Sequence, residues 1–186
     1  MAHPDGVRRG AAVVRNDLQR REAIIEAAWS CFLQHGYAKT SLEDVAKRAG
    51  LSRPLIYLQF ANKRELFSCA IERMMDKNFA SATKILNLDI DKKAKLLLII
   101  DEWLLEPLAR LMSSPQGNEL FDQALGVAPT VQSTHRERTR QLLAAVIDDA
   151  AAADVFRLAL KGLITDRPSI ETLQARVAVL ADHFVI

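Results

Sequence analysis

Basic, hydroxyl and amide side chains lie between residues 40 and 63, and side chains of these kinds are suited to contacts with nucleic acid. The Arg53 guanidinium can bond O6 and N7 of a guanine together, a contact worth about 1–3 kcal/mol of discrimination between bases, or it can hold a phosphate instead. Hydroxyl, ammonium and helix N-terminal N–H groups suit phosphate oxygens. The residues that we expect to meet DNA are Thr40, Ser41, Ser52, Arg53, Pro54, Leu55, Tyr57, Leu58, Gln59 and Lys63.

A helix-turn-helix pattern over residues 42–57 would position these side chains. Two helices that cross steeply need a small residue where their backbones approach, a glycine in the turn and an apolar residue that packs the second helix on the first. Ala46, Gly50 and Ile56 meet these three needs. The second helix of such a unit enters the major groove, while the first crosses the DNA backbone.

The second helix is predicted over residues 53–59, with Ile56 and Phe60 as its buried pair. The opposite face then presents Arg53, the nearby polar side chains and two leucines. Leu55 and Leu58 are apolar on a face that should meet DNA, where contacts with thymine methyl groups are one interpretation. Packing inside the protein is the other interpretation.

Helix-start signals flank this pattern. Apolar residues at the i, i+3, i+4, i+7 spacing predict a helix over 20–34, ended by His35-Gly36. A hydroxyl or amide residue followed three positions later by an acid forms a capping box, which bonds the free N–H groups of the first turn. For the first helix of the pattern, the candidate pairs are Thr40 with Glu43 or Ser41 with Asp44. Ser52 is placed to cap the second helix. Asn62 with Glu65 opens a long helix that follows, to about Ile85.

The rest of the chain also has helical periodicity. Breaks at Gly and Pro residues separate predicted helices near 91–112, 117–125, 129–150, 151–164 and 169–184. Period-2 alternation is too short everywhere to indicate a strand. The sequence therefore predicts an all-α fold.

Residues 1–19 combine Gly6, Gly10 and Pro4 with several arginines and lack a stable apolar period. We expect a flexible basic arm, which is either a solvated tail or an arm that adds phosphate or minor-groove contacts. Residues 1–67 hold 11 Lys/Arg against 7 Asp/Glu, whereas 68–186 hold 14 against 16. The basic first third suits nucleic-acid binding.

Other function classes find little support in the sequence. The histidines at 3, 35, 135 and 183 lack metal-ligand spacing, and no phosphate loop or nucleophile elbow occurs, so we expect neither an enzyme nor a cofactor. Cys31 and Cys69 are interpreted as buried thiols, with a redox sensor as the alternative. No apolar run could span a bilayer or act as a signal peptide, so we expect a cytoplasmic protein without a membrane partner.

Residues 20–67 resemble the DNA-binding domain of the TetR family of regulators. The residues that carry the resemblance are Ile24-Ile25, Ala27-Ala28, Phe32, Gly36-Tyr37, Thr40-Ser41, Val45-Ala46, Ala49-Gly50, Ser52, Ile56-Tyr57, Phe60 and Lys63 with Leu66-Phe67. The family usually has a Gly where this chain has Pro54 and a His where it has Gln59. Because both lie on the DNA face, the operator sequence does not follow from the resemblance.

The resemblance implies that residues 68–186 form a helical effector-binding domain that dimerises through its last two helices. Two apolar stripes are compatible with such a homodimer, although the core of a monomer would show the same pattern. The expected interface comprises Val155, Leu158, Ala159, Gly162, Leu173, Val177 and Leu180. Candidate pocket residues, each of which could equally be plain core, are Met74, Phe79, Trp103, Met112, Phe121 and His135.

Together these features predict a sequence-specific DNA-binding regulator that responds to an unidentified small molecule. A ligand that prefers a conformer with the two heads wrongly spaced would draw the dimer off its operator. Repression is the default expectation, because an occupied operator blocks polymerase. The alternative is a nucleoid or cell-organisation protein that uses the same head without a small effector.

Overall fold

The computed structural model of the protein describes residues 4–127 and 129–185. The described residues are helical and contain no strand, which confirms the all-α prediction. None of their helices is long and apolar enough to cross a membrane. In chain order the elements are α1 (Pro4–Lys39), α2 (Leu42–Ala49), α3 (Arg53–Gln59), α4 (Lys63–Ile85), α5 (Lys92–Ile100), a π-helical turn (Asp101–Leu105), α6 (Glu106–Met112), α7 (Gly117–Val127), α8 (Pro129–Ile147), α9 (Ala150–Leu163) and α10 (Ile170–Asp182).

The first compact unit comprises the chain up to Arg73 together with residues 114–127. Its centre is an aromatic group in which the rings of Phe32 and Tyr37 each lie 5.0 Å from that of Phe67, centroid to centroid. Helix α7 packs against α1, so this unit holds more than the predicted domain of residues 20–67. The contacts of α7 with α1 join residues that are far apart in the sequence, so a local sequence pattern does not reveal them.

Helix α1 begins at Pro4, well before the helix that the sequence predicts from residue 20. Proline is tolerated in a first turn, where its missing N–H has no intrahelical partner. Residues 14–20 are all exposed, with Val14 and Leu18 both at 59%, so this described stretch has no buried stripe for periodicity to detect. The structure thus differs from the sequence prediction in extending the helix back to Pro4, while the flexible basic arm over residues 1–19 and its contact with DNA stay predictions.

Gly36 interrupts α1 near its end. Its φ of 82° and ψ of 166° are non-helical, and the helix resumes as far as Lys39. L-residues with a side chain rarely adopt this conformation, so glycine is required on backbone grounds. The predicted helix end at His35-Gly36 is thus a sharp bend that directs the chain into α2.

The second compact unit comprises residues 74–113 and the chain from 128 onward. Leu96, Ile99 and Ile100 of α5 form its core with side chains of α8, α9 and α10. Leu173 and Val177 belong to this core, at 0% and 1% exposure. Their predicted place in a dimer interface is therefore wrong, because the stripe that they form faces the protomer's own interior.

A π-helical turn divides the single helix predicted over residues 91–112. The N–H of Glu106 bonds the carbonyl of Asp101, five residues earlier. Pro107 follows this turn, and within a regular α-helix its ring would clash with the carbonyl four residues before it. A wider π turn accommodates the proline without ending the helical run.

Candidate nucleic-acid interface

The turn between α2 and α3 is fixed by Gly50. Its φ of 66° is left-handed, and its N–H donates to the Lys47 carbonyl while that of Leu51 donates to the Ala46 carbonyl. This pair of bonds is the Schellman motif, which favours glycine at the left-handed position. Ala46 and Ile56, at 3% and 0% exposure, pack where the two helices meet. The predicted helix-turn-helix is therefore formed.

The start of α2 carries the capping box that Ser41 and Asp44 predict. The Ser41 hydroxyl accepts from the Asp44 N–H at 3.1 Å, and the Asp44 carboxylate accepts from the Ser41 N–H at 2.9 Å. Bonds from Ser41 lower the pKa of Asp44. Ser52 occupies the corresponding place before α3 but makes no such side-chain bond, so its exposed hydroxyl stays available.

The outer face of α3 combines a positively charged side chain, Arg53, with the phenol of Tyr57 and the exposed Leu58. Arg53 donates to the Tyr57 hydroxyl at 3.3 Å, with its guanidinium 5.6 Å from the Tyr57 ring centroid. Leu58 is 77% exposed, while Leu55 and Gln59 are half-buried and Pro54 is exposed. An amphipathic surface of this kind can contact both phosphates and base edges.

Thr40 does not belong to this surface. Its side chain is 2% exposed, and its hydroxyl donates to the Gly36 carbonyl at 2.7 Å. A buried, bonded hydroxyl is not available to a phosphate, so the prediction that Thr40 contacts DNA is wrong. Its bond holds the bend at Gly36 closed, and exposed Ser41 takes the position next to it.

Lys63 is engaged inside the first unit. Its ammonium donates to the carbonyls of Tyr37, Ala38 and Thr40 at 2.8, 3.2 and 3.0 Å and lies 4.6 Å from the Tyr37 ring centroid. An ammonium group has three donors, and these bonds use all of them. Lys63 therefore ties the start of α4 to the bend between α1 and α2, and its contact with phosphate stays a prediction.

Arg21 also positions α3, which the sequence patterns did not indicate. Its guanidinium donates to the Gln59 carbonyl at 2.8 Å and stacks over the Phe60 ring at 4.2 Å. The same group contacts the Cys69 sulfur at 3.4 Å. A basic residue on the otherwise apolar side of a predicted helix is the signal that could have identified it.

The two cysteines lie apart from the α3 face as free thiols. Burial raises the pKa of both Cys31 and Cys69, which keeps them protonated. Because the thiolate is the reactive form, this environment favours inert thiols over the redox alternative. Within the described part of the chain, no cluster of His, Cys, Asp or Glu could hold a metal ion.

A cavity of about 220 Å³ lies in the second unit. Trp103 and His135, both predicted as pocket residues, line it, and Phe79 packs behind them with its ring centroid 5.6 Å from each of theirs. The cavity's described lining does not include Met74, Met112 or Phe121, and Phe121 lies in the first unit. Side-chain size alone did not distinguish the predicted residues that line the cavity from those that do not.

His135 is a buried polar residue of this lining. It is 6% exposed, and its buried Nδ1 has no hydrogen-bond partner among the described residues. Burial lowers the pKa of His135, with Asp76 opposing that shift and Arg138 adding to it. The imidazole is therefore neutral near pH 7.

Part of the outer surface of α9 and α10 is apolar. Val155, Leu158 and Val179 are 55%, 52% and 60% exposed. Beside Val179 runs a groove that includes Ala175 and the half-buried Leu180. Of the predicted interface residues, the outward set is Val155, Leu158, Ala159, Gly162 and Leu180, all exposed or half-buried.

The fold and this site define a class: an all-helical protein with an N-terminal helix-turn-helix domain and a separate helical unit. Residues 24–69 match the family described as bacterial regulatory proteins, tetR family. This match lies on the helix-turn-helix domain, where residues 20–67 resemble the same family.

Individual proteins that are similar to this chain in sequence are named transcriptional regulators. The transcriptional activator FasR of Mycolicibacterium smegmatis is 29% identical over 96 residues, which cover 52% of this chain and 43% of FasR. The transcriptional repressor AcnR of Corynebacterium diphtheriae is 24% identical over 168 residues, 89% of this chain and 79% of AcnR. The match thus spans less than half the length of FasR.

Solved structures show the same fold. SmeT, the repressor of the SmeDEF multidrug efflux pump of Stenotrophomonas maltophilia, superposes with a TM-score of 0.64 at 18% identity, over 89% of this chain and 90% of SmeT. The likeness therefore extends through both units of the chain, beyond the helix-turn-helix domain.

Proposed function

We propose that the protein is a DNA-binding transcriptional regulator whose α3 reads the major groove. The observation that carries this proposal is the outer face of α3, where Arg53, Tyr57 and Leu58 are exposed on a well-formed helix-turn-helix of the TetR family. In such units the second helix carries the base contacts.

Leu58 supports the proposal most sharply. A leucine that is 77% exposed contributes little to folding, whereas a thymine methyl group would bury it. Arg53, five residues earlier on the same helix, is charged, and its five guanidinium N–H donors exceed its contacts with the Tyr57 hydroxyl and with Glu43, 3.9 Å away. The pair suits an operator in which a guanine lies near a thymine.

We propose that the working form is a homodimer assembled through α9 and α10. Val155, Leu158 and Val179 would be buried between two copies, and the small Ala159 and Gly162 would allow the helices to approach closely. Two heads would bind half-sites about one helical turn apart, or a multiple of it. A dimer that neutralises roughly 6–10 phosphates would lose about 10³–10⁵ in affinity between about 50 and 200 mM salt.

The cavity beside Trp103 and His135 is the proposed effector site. A ligand that favours a conformer with the heads wrongly spaced would release the dimer, and by linkage DNA would weaken ligand binding by the same factor. One relative is named an activator and another a repressor. We propose repression for this protein, because an occupied operator excludes polymerase.

Selection of genomic DNA fragments bound by the full chain tests the proposal. Wild type should recover a near-palindromic site near a promoter, and Arg53→Ala should weaken that site by roughly tenfold or more. Lys84→Ala removes an exposed positive charge of the second unit and should not weaken binding to that site. Recovery of fragments without sequence preference would instead support a nucleoid-type protein.

Sedimentation of Leu158→Glu tests the dimer separately. A charge on an interface residue should yield monomers at concentrations where wild type is dimeric. Leu98→Glu, at a 44% exposed leucine of α5, is the matched control and should stay dimeric. A monomeric wild type would exclude the proposed assembly.

A further inference from the structure

Every charged side chain among the described residues that line the second-unit cavity is basic. Arg136, Arg157 and Lys161 line it together with Met75, Trp103, Leu104, His135, Thr139, Leu160 and Ile164. No Asp or Glu is in that described set. The charged side chains that line this cavity therefore favour an organic anion over an organic cation.

Two of these three basic side chains form no ion pair with the carboxylates that the structure describes. Arg157 is 15% exposed and donates through Nε and Nη2 to Asp154 at 2.9 and 2.7 Å. Arg136 and Lys161 are exposed, and neither forms an ion pair with any carboxylate in the part of the chain that the structure describes. The exposed end of this lining, which we call the mouth of the cavity, thus carries two positive charges that no carboxylate of the described residues pairs.

The remaining wall of the cavity is mostly apolar. Trp103 and Leu104, consecutive residues of the π turn, both line it. Leu160 and Ile164 of the α9 region and Met75 of α4 complete the apolar part. A volume of about 220 Å³ suits a compact ligand on the order of ten non-hydrogen atoms.

The two polar groups deeper in the lining carry no net charge. His135 is neutral, and the Thr139 hydroxyl already donates to the His135 carbonyl at 2.7 Å. The charge at the mouth and the apolar wall therefore select a molecule with one acidic end and one apolar end.

We propose that this cavity binds a compact organic carboxylate, with its acid between Arg136 and Lys161 and its apolar body against Trp103 and Leu160. The inference rests on the proposed function only in treating the cavity as the effector site. Ligand binding itself can be measured on the free protein, without DNA.

Trp103 provides the reporter. The chain has two tryptophans, so Trp29→Phe leaves Trp103 as the single indole. In that background, titrations with octanoate, octanol and octylamine compare one shape in anionic, neutral and cationic forms, and benzoate, benzyl alcohol and benzylamine repeat the comparison for an aromatic body. At least one carboxylate should change Trp103 fluorescence and bind roughly tenfold or more tightly than its neutral and cationic counterparts.

Variants of Arg136 and Lys161 show whether these two basic side chains are responsible for the binding of carboxylates. Arg136→Gln with Lys161→Gln should weaken carboxylate binding about tenfold, whereas Arg136→Lys with Lys161→Arg should keep it. Lys84→Gln removes one exposed charge elsewhere in the unit and should have no effect. Unchanged thermal melts would show that all three proteins fold.

The proposal is overturned if neither carboxylate binds, if an alcohol or amine binds as tightly, or if the doubly neutralised variant binds like wild type. These outcomes are separate from failure of the regulator proposal. If the protein binds the carboxylate but selects no operator, this inference stands and the proposed function fails. If it selects an operator but binds no carboxylate, the proposed function stands and this inference fails.

Discussion

The Glu119 carboxylate accepts the backbone N–H of Ala38 at 2.8 Å. This bond joins α7 to the last turn of α1, just before the helix-turn-helix. The partners are 81 residues apart in sequence and belong to one compact unit. The bend that leads into α2 is thus secured by a helix from the middle of the chain.

Glu119→Ala should destabilise the first unit by about 1 kcal/mol, because it leaves the Ala38 N–H without its charged acceptor at a partly exposed site. Urea unfolding would measure the loss. Glu119→Gln retains an acceptor oxygen and should lose less, and Asn118→Ala, at the exposed neighbouring position, should change little. Equal stability of Glu119→Ala and wild type would show that the bond contributes nothing.

Gly36→Ala should be more destabilising than Gly50→Ala. A Cβ at Gly36 would lie 2.2 Å from a Glu119 carboxylate oxygen, in addition to strain of about 1–3 kcal/mol from its backbone conformation. A Cβ at Gly50 would meet no atom within 4 Å, which leaves only the left-handed cost of about 1–2 kcal/mol.

Unfolding free energies of both variants test this ranking. Adding Glu119→Ala should recover part of the loss in Gly36→Ala and none of it in Gly50→Ala. The reverse ranking, or equal rescue of both, would contradict the geometry.

Lys63→Met should cost about 2 kcal/mol of stability, since three carbonyls lose a charged donor at a half-buried site. The substitution retains most of the aliphatic stem, so the loss reports the ammonium group. Arg64→Met, at the exposed next position, is the control. A stable Lys63→Met protein with weakened DNA binding would instead identify Lys63 as a phosphate contact.

Protonation of His135 should destabilise the second unit. Burial lowers its folded pKa, so the unfolded chain takes up this proton at a higher pH than the folded protein does. The stability associated with neutral His135 is complete above the unfolded pKa of about 6.5 and is lost as pH falls through the folded pKa. His135→Phe should therefore lose less stability than wild type between about pH 7.5 and 5.5.

Denaturant unfolding at the two pH values provides the comparison. His35→Gln, at an exposed histidine of the first unit, should retain the wild-type dependence. An unchanged pH dependence in His135→Phe would show that another group is responsible.

The helix-turn-helix was predictable because its determinants are local. Gly50, the Ser41–Asp44 box and the apolar Ile56 lie within sixteen residues, and each acts through backbone rules that sequence spacing reveals. The all-α class followed from periodicity for the same reason. Thr40 was assigned wrongly because spacing alone does not show that its side chain is buried and bonded to the Gly36 carbonyl.

The second unit was harder to predict in detail. An apolar stripe shows that a face is covered but not by what, so buried Leu173 and Val177 could not be told from outward Leu158. The cavity depends on which side chains of several helices converge, and the π turn before Pro107 alters that convergence. Periodicity carries no information about either feature.

Leu58→Glu tests the central claim, that the exposed face of α3 reads DNA. Leu58 is 77% exposed, so the substitution should leave the free energy of unfolding unchanged, while a carboxylate facing the phosphates should abolish binding to the selected operator. Leu125→Glu makes the same change at a 57% exposed leucine of the same unit and should bind like wild type. Fluorescence anisotropy with labelled operator would measure both. Loss of binding in Leu58→Glu alone is the predicted result, and wild-type affinity in a folded Leu58→Glu protein would contradict the account.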